Sequence, residues 1–194
     1  MSKIAIFLAP GFEEIEALTV VDLCRRVGIE VTMAAVVDNK TEETGADEKA
    51  DVLVTGSHGI AVKADAVLEA VDFDSLDMIV LPGGMPGTKN LEACETLMTQ
   101  LDGFYKSGKS IAAICAAPSI FGHRGYLNGR NACSYPGFEG HLTGAHVTEN
   151  QVEVSDHVIT SRGLGTAIPF ALAIVEHFCG MERAEELAKG VVYR

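Results

Sequence analysis

KIAIFLAPGFEEIEALTVVDLCRRVGIEVTMAAVV, residues 3–37, decides the fold. Lys3 to Ala9 is a short apolar run of the kind that makes a buried strand, and Pro10-Gly11-Phe12 punctuates it. From Glu13 to Val27 the residues Ile15, Leu18, Val21 and Leu23 recur at helical spacing, and Gly28 closes the helix. Ile29 to Val37 resumes as a strand. Strand, helix and strand in succession form a β-α-β unit, whose crossover requires parallel strands and a right-handed connection.

The same grammar continues outward. Asp38 to Ala50 is polar and acidic without periodicity and reads as a surface loop. Val52–Thr55 and Ile60–Lys63, joined through Gly56-Ser57-His58-Gly59, predict a short hairpin beside the main sheet. Met78 to Leu81 is continuously apolar, as in a strand covered on both faces, and ends in the loop Pro82-Gly83-Gly84-Met85-Pro86-Gly87. Leu91 to Tyr105 predicts one amphipathic helix, Ser110 to Ile114 a buried strand that stops at Cys115, and Pro118 to Arg124 the next helix. Short strands follow at Asn131–Ser134, His146–Thr148, Val152–Val154 and Val158–Thr160. Gly163-Leu164-Gly165-Thr166 opens a long apolar helix to Phe178, and a shorter one runs from Glu182 to Lys189. No repeat or low-complexity linker interrupts the chain. The order predicts one α/β domain over residues 1–194, a doubly wound sandwich with a mainly parallel central sheet.

Composition narrows the partners. A chain of 194 residues buries a sizeable core, and 47% apolar against 22% charged residues argues against disorder. With 15 basic and 27 acidic residues the net charge is -12, which repels nucleic-acid backbones and anionic membranes. The apolar segment Ile4–Leu8 is too short for a signal core or a membrane span, so a cytosolic protein is expected. The five cysteines are odd in number, widely spaced and free of any C-x-x-C pair, which argues against a disulfide framework. No histidine stands at zinc-ligand spacing from another histidine or cysteine, so no metal is expected.

The strongest chemical signal is Ala112-Ala113-Ile114-Cys115-Ala116-Ala117-Pro118, an apolar strand running into a helix with a thiol at the junction. A nucleophile elbow has this layout, and its tightness requires small residues two before and two after the nucleophile, here Ala113 and Ala117. A helix starting here points free N–H groups at the sulfur and favours thiolate. The string fits a small buried hydrophobe equally well, the usual fate of free cysteine. Gly83 and Gly84 lie at the C-terminal edge of a parallel strand, where open α/β sheets gather ligands, and their N–H groups suit an oxyanion pocket. Glu13, Glu14 and Glu16 crowd the first turn of the first helix at the same edge. A carboxyl there in contact with the thiol must share one proton with it, and position alone does not choose among the three.

Taken together, Gly11-Phe12-Glu13-Glu14-Ile15-Glu16, Leu81-Pro82-Gly83-Gly84, the Ala112–Pro118 elbow and Thr160-Ser161-Arg162-Gly163 resemble the ThiJ/PfpI superfamily, in order and over nearly the whole chain. Within it they are most similar to the branch of the Parkinson-disease-associated deglycase and bacterial ThiJ-type proteins. The resemblance implies a flavodoxin-like sandwich, a homodimer, Cys115 as the oxidisable nucleophile, Glu16 as its carboxylic acid, and Gly84 and Ala116 as backbone donors. It implies Gly83, Tyr135, His58 and Arg26 as residues around the site, Arg26 following paired arginines near the dimer contact. Three departures matter. Ala116 stands where protease-like and glyoxalase-like relatives carry histidine, Tyr135 where the deglycase carries histidine, and His58 where close relatives carry arginine.

Three functions follow as expectations. The first is a cofactor-independent glyoxalase or deglycase acting on small reactive carbonyls or their thiol and amine adducts, in which Cys115 attacks the carbonyl and Glu16 shuttles the proton. The second is a stress protein, an oxidation sensor or chaperone, using the same cysteine. Amide hydrolysis ranks last, because the histidine next to Cys115 is absent.

Overall fold

The structure, a computed structural model, describes residues 1–37 and 52–194. The expected loop at Asp38–Ala50 lies outside the described residues. Seven strands form the central sheet in the order β10-β11-β7-β6-β1-β2-β5: β1 (Lys3–Leu8), β2 (Glu30–Ala35), β5 (Ala66–Val67), β6 (Met78–Leu81), β7 (Ser110–Ile114), β10 (Val152–Ser155) and β11 (Val158–Ser161). Every pairing is parallel except β10 with β11. The expected hairpin is present as β3 (Leu53–Thr55) and β4 (Ala61–Lys63), paired antiparallel outside the main sheet. A small parallel pair, β8 (Asn131–Ala132) and β9 (His146–Val147), completes the strands among the described residues.

Alternation along each strand splits the interior into two cores. Ile4, Ile6 and Leu8 of β1 pack with Val80 and Ile114 under α1 (Glu14–Arg26), α5 (Ala167–Cys179) and α6 (Met181–Gly190). Ala5 and Phe7 pack with Ile79 and Ile111 under α2 (Gly87–Ala93), α3 (Glu95–Ser107) and α4 (Pro118–His123). Burying each such Ile, Leu or Phe contributes about 1.5–3 kcal/mol. This is the flavodoxin-like layering expected from the sequence.

Two elements differ from the sequence reading. The helix expected at Leu91–Tyr105 is two helices that meet at Cys94, whose backbone is extended (φ -81°, ψ 97°). Leu91, Cys94, Met98 and Leu101 keep helical spacing across the break, so periodicity does not register it. The edge strand β5 is two residues long, too short for alternation to mark. The Gly163–Thr166 segment turns as a short 3-10 helix over Leu164–Thr166 before α5 begins.

The chain leaves β1 to one side for β2 and returns to the other side for β6, which makes the C-terminal ends of β1 and β6 a topological switch point. The segments that follow β1, β6 and β7, three adjacent strands, carry Glu16 in the first turn of α1, Gly83 with Gly84, and Cys115.

Candidate active site

Cys115 follows the last residue of β7 and adopts φ 67°, a left-handed conformation that costs a non-glycine residue about 1–3 kcal/mol. The turn is held from both sides. Cys115 N–H donates to the Ser161 carbonyl at 3.1 Å, and Tyr135 N–H donates to the Cys115 carbonyl at 2.8 Å. Ala113 and Ala117 are fully buried beside it, as the small positions of an elbow must be. The side chain that the turn presents is half-buried, whereas Cys24 and Cys133 are buried outright.

Glu16 meets this thiol from the first turn of α1. Its side chain hydrogen-bonds Cys115, and Gly83 N–H donates to its Oε2 at 2.9 Å. The helix that carries it is started by Glu13, whose Oε2 accepts from Glu16 N–H at 2.7 Å, and by Glu13 N–H donating to the Gly83 carbonyl at 2.9 Å. Gly83 is required by close approach: a Cβ there would overlap Cys115 Cβ and sit 2.7 Å from Glu16 Oε2 and 3.0 Å from Sγ. Gly84 and Ala116 both donate backbone N–H bonds to Cys115.

Burial, then the Glu13 charge, pushes the Glu16 carboxyl up to about 7. Burial, then the Glu16 charge, pushes the Cys115 thiol up to about 12, against the pull of the Gly84 and Ala116 N–H groups. The sequence reading expected the helix terminus to favour thiolate. The helix starts only at Pro118 and runs six residues, so its influence is outweighed by burial beside a carboxylate. The pair therefore holds both protons below about 7 and carries one negative charge and one proton above it, with N–H donors at both the sulfur and carboxylate ends.

The other named residues divide. Tyr135 stands at the mouth, half-exposed, with its ring beside Gly163; a Cβ on Gly163 would lie 3.2 Å from that ring and 3.8 Å from Glu16 Oε1. Gly163, which the sequence reading placed in the family string Thr160–Gly163 and at the start of a helix, is thus a wall of the site. His58, on the β3–β4 turn, faces Glu14 and Glu13 rather than the thiol, with Nδ1 3.1 Å from Glu14 Oε2 and 3.9 Å from Glu13 Oε1. Arg26, expected near the dimer contact, lies apart from the thiol within one chain. It sits in the last turn of α1, about 15 Å along the axis from Glu16 at the usual helical rise, and pairs with Asp22 at 2.8 Å.

A strained cysteine at a strand-to-helix turn, across the switch point of a flavodoxin-like sheet, defines a nucleophile-elbow α/β protein. The chain matches the DJ-1/PfpI family over residues 2–177 and belongs to it. It is 34% identical to Glutathione-independent glyoxalase DJR-1.2 of Caenorhabditis elegans, over 96% of this chain and 95% of that protein. It is 36% identical to Protein DJ-1 homolog B of Arabidopsis thaliana over 99% of this chain, but spans only 42% of that longer protein. The solved structure of oxidized Toxoplasma gondii DJ-1 superposes with a TM-score of 0.88 at 35% identity, covering 100% of this chain and 99% of the other.

Proposed function

We propose that this protein is a glyoxalase/deglycase-type enzyme that needs no cofactor, acting on small reactive carbonyls or their adducts. The observation that carries the reading is the Cys115–Glu16 pair with Gly84 and Ala116 N–H groups aimed at the sulfur. Sγ attacks the aldehyde carbon of a dicarbonyl, its proton passes to Glu16, and the new oxyanion takes the two N–H bonds. Glu16 then moves the proton from the first carbon to the second, leaving a thioester that water cleaves to a hydroxy acid and free thiol. The name of the C. elegans relative supports the same chemistry. The absence of histidine at Ala116 and at Tyr135 leaves Glu16 as the acid–base group nearest the thiol. Methylglyoxal consumption with matched lactate formation, measured in amine-free buffer, tests the reading; wild-type rates equal to those of Cys115→Ala would end it.

The Glu16 contact and the Gly84 and Ala116 N–H donors at Cys115 favour oxidation sensing as a second use of the thiol, a distinction that exposure alone does not make, since Cys94 is also half-buried and Cys179 is exposed. Mass spectrometry after mild peroxide is expected to find Cys115 as sulfinic acid first. All five cysteines are free, which supports a reducing, cytoplasmic setting for one catalytic domain. Among the described residues no helix is long and apolar enough to cross a membrane. A homodimer formed through α1 is supported by Ile15, Leu53 and Ile60, exposed on α1 and on the hairpin that docks against its first turn.

A further inference from the structure

We infer, building on the glyoxalase reading of the Cys115–Glu16 pair, that Arg162 anchors a carboxylate on the substrate, and that the preferred substrates are 2-oxoaldehydes with a short apolar tail ending in that carboxylate. Beside the pair lies an open cavity of about 400 Å³, lined by Tyr135, Pro136, Gln151 and residues 162–166. Small-molecule sites run from roughly 300 to 1,000 Å³, and a dicarbonyl as small as methylglyoxal fills only part of such a space. The cavity and the thiol site share Tyr135 and Gly163: a Cβ on Gly163 would stand 3.2 Å from the Tyr135 ring and 3.8 Å from Glu16 Oε1.

Arg162 stands apart from the other arginines of the folded core. Arg25, Arg26, Arg124, Arg130 and Arg183 each pair with a carboxylate. Among the described residues Arg162 pairs with none, in a chain whose net charge is -12. Its guanidinium reaches only two carbonyl oxygens, at the long distances of 3.4 Å from Nε to Ser134 and 3.3 Å from Nη1 to Glu149, and its Nη2 donates to nothing among the described residues. The backbone ties it to the elbow on two sides. Ser161, the residue before it, accepts from Cys115 N–H at 3.1 Å, and Ser134 precedes Tyr135, whose N–H donates to the Cys115 carbonyl at 2.8 Å. A half-buried guanidinium, fixed relative to the nucleophile and left without a carboxylate in an acidic protein, is suited to an anion from outside the chain.

The lining selects the kind of anion. Among the described residues Arg162 is the one charged side chain on the cavity, which suits a monoanion; a phosphate dianion calls for a second cation. Nη1 and Nη2 together present the planar fork that takes a carboxylate in two parallel bonds. The Gln151 side chain, which makes no hydrogen bond among the described residues, offers a further donor, whereas the Thr166 hydroxyl is spent on Arg162 N–H, Gly163 N–H and the Gly163 carbonyl. Pro136, Leu164 and the Tyr135 ring give the rest of the lining the apolar character that methylene groups need. No lining residue belongs to α1 or to the β3–β4 hairpin, so the cavity is not built from the surface proposed for the homodimer.

The test is steady-state kinetics of the full chain on 4,5-dioxopentanoate, a 2-oxoaldehyde with a carboxylate tail, and on its neutral methyl ester. The acid gains one water and moves one proton between its two carbonyl carbons to give 2-hydroxyglutarate, with no oxidant or reductant, as methylglyoxal gives lactate. In wild type, kcat/KM for the acid should exceed that for the ester by about tenfold or more, the scale of a hydrogen-bonded charge pair, with the difference in KM. Arg162→Gln should bring that ratio to within about twofold of unity. Gln151→Glu, which sets a carboxylate beside the guanidinium, serves as the second variant should Arg162→Gln fail to fold, and should lower the ratio about fivefold or more. A wild-type ratio near unity, or one that survives in both variants, would overturn the anchor. Should wild type turn over neither substrate, the glyoxalase reading fails, and binding then decides the anchor: Cys115→Ala is titrated by calorimetry with the unreactive 4-oxopentanoate. One site per chain, weakened about fivefold or more by adding Arg162→Gln, upholds the anchor; equal affinity or no binding overturns it as well.

Discussion

The two edges of the central sheet each hold a nucleophile within hydrogen-bond reach of an acid–base partner. At the C-terminal edge the pair is Cys115 with Glu16; at the N-terminal edge it is Ser110, the first residue of β7, with its Oγ 2.8 Å from His177 Nε2. By distance alone the serine–histidine pair looks the more familiar catalytic unit. Its surroundings say otherwise. Ser110 lies in regular strand, and among the described residues no backbone N–H is seen to donate to its Oγ. Burial, with His157 adding a smaller share, pushes His177 below its ordinary value. Cys115 instead sits on a strained turn, packed against Gly83 and bonded by two N–H groups. The turn and its donors, rather than the presence of a pair, mark Cys115 and not Ser110 as the candidate reactive centre.

The largest expected effect falls on the cysteine: Cys115→Ala should reduce methylglyoxal turnover to the uncatalysed rate, while Ser110→Ala stays within twofold of wild type. Loss of activity in both would erase the contrast between the edges.

Glu16→Gln should lower kcat/KM by about 10²-fold or more, the usual worth of a positioned acid–base group. The wild-type rate is expected to rise with pH through about 7, as the Cys115–Glu16 pair loses its first proton, and the variant should lack that limb. Stability carries the opposite sign. Glu16 keeps its proton up to about 7 in the fold but only to its ordinary value of 4.5 when unfolded, so its contribution is complete below 4.5 and lost as pH rises through 7. Urea unfolding of wild type relative to Glu16→Gln should therefore weaken over that window by up to about 3 kcal/mol. A flat difference would show that the carboxyl is not buried in this way.

Gly83→Ala forces a methyl group into Cys115 Cβ and Glu16 Oε2, and a displacement of about 1 Å at a reacting centre costs roughly 10²-fold in rate. Steady-state kinetics and a thermal melt distinguish this from simple unfolding: activity should fall far more than the folded fraction at assay temperature. Ser110→Ala has the smallest effect, removing one hydrogen bond to His177 and costing about 1 kcal/mol by denaturant titration.

Much of this was legible in the chain. The β-α-β pattern of residues 3–37 set a parallel sheet, because helical and strand periodicities are local and each strand's apolar run is long enough to count. Cys115 was legible because an elbow demands small residues at fixed offsets, and Ala113 and Ala117 occupy them. The choice of Glu16 came from the family pattern, since three glutamates in one helical turn are alike in sequence.

What the sequence by itself determined is the order of elements, the position of the strained thiol and the small residues that permit it, all consequences of neighbours along the chain. Tertiary structure alone decided the charges. It gave Glu13 to the helix N-terminus, Glu14 to the hairpin and Glu16 to the thiol. It set Arg26 at the far end of α1, and brought His58 across 44 residues of chain to Glu14. The physical reason is that burial and the donors reaching each carboxyl come from other strands and turns. A shifted pKa exists only once those segments are packed together.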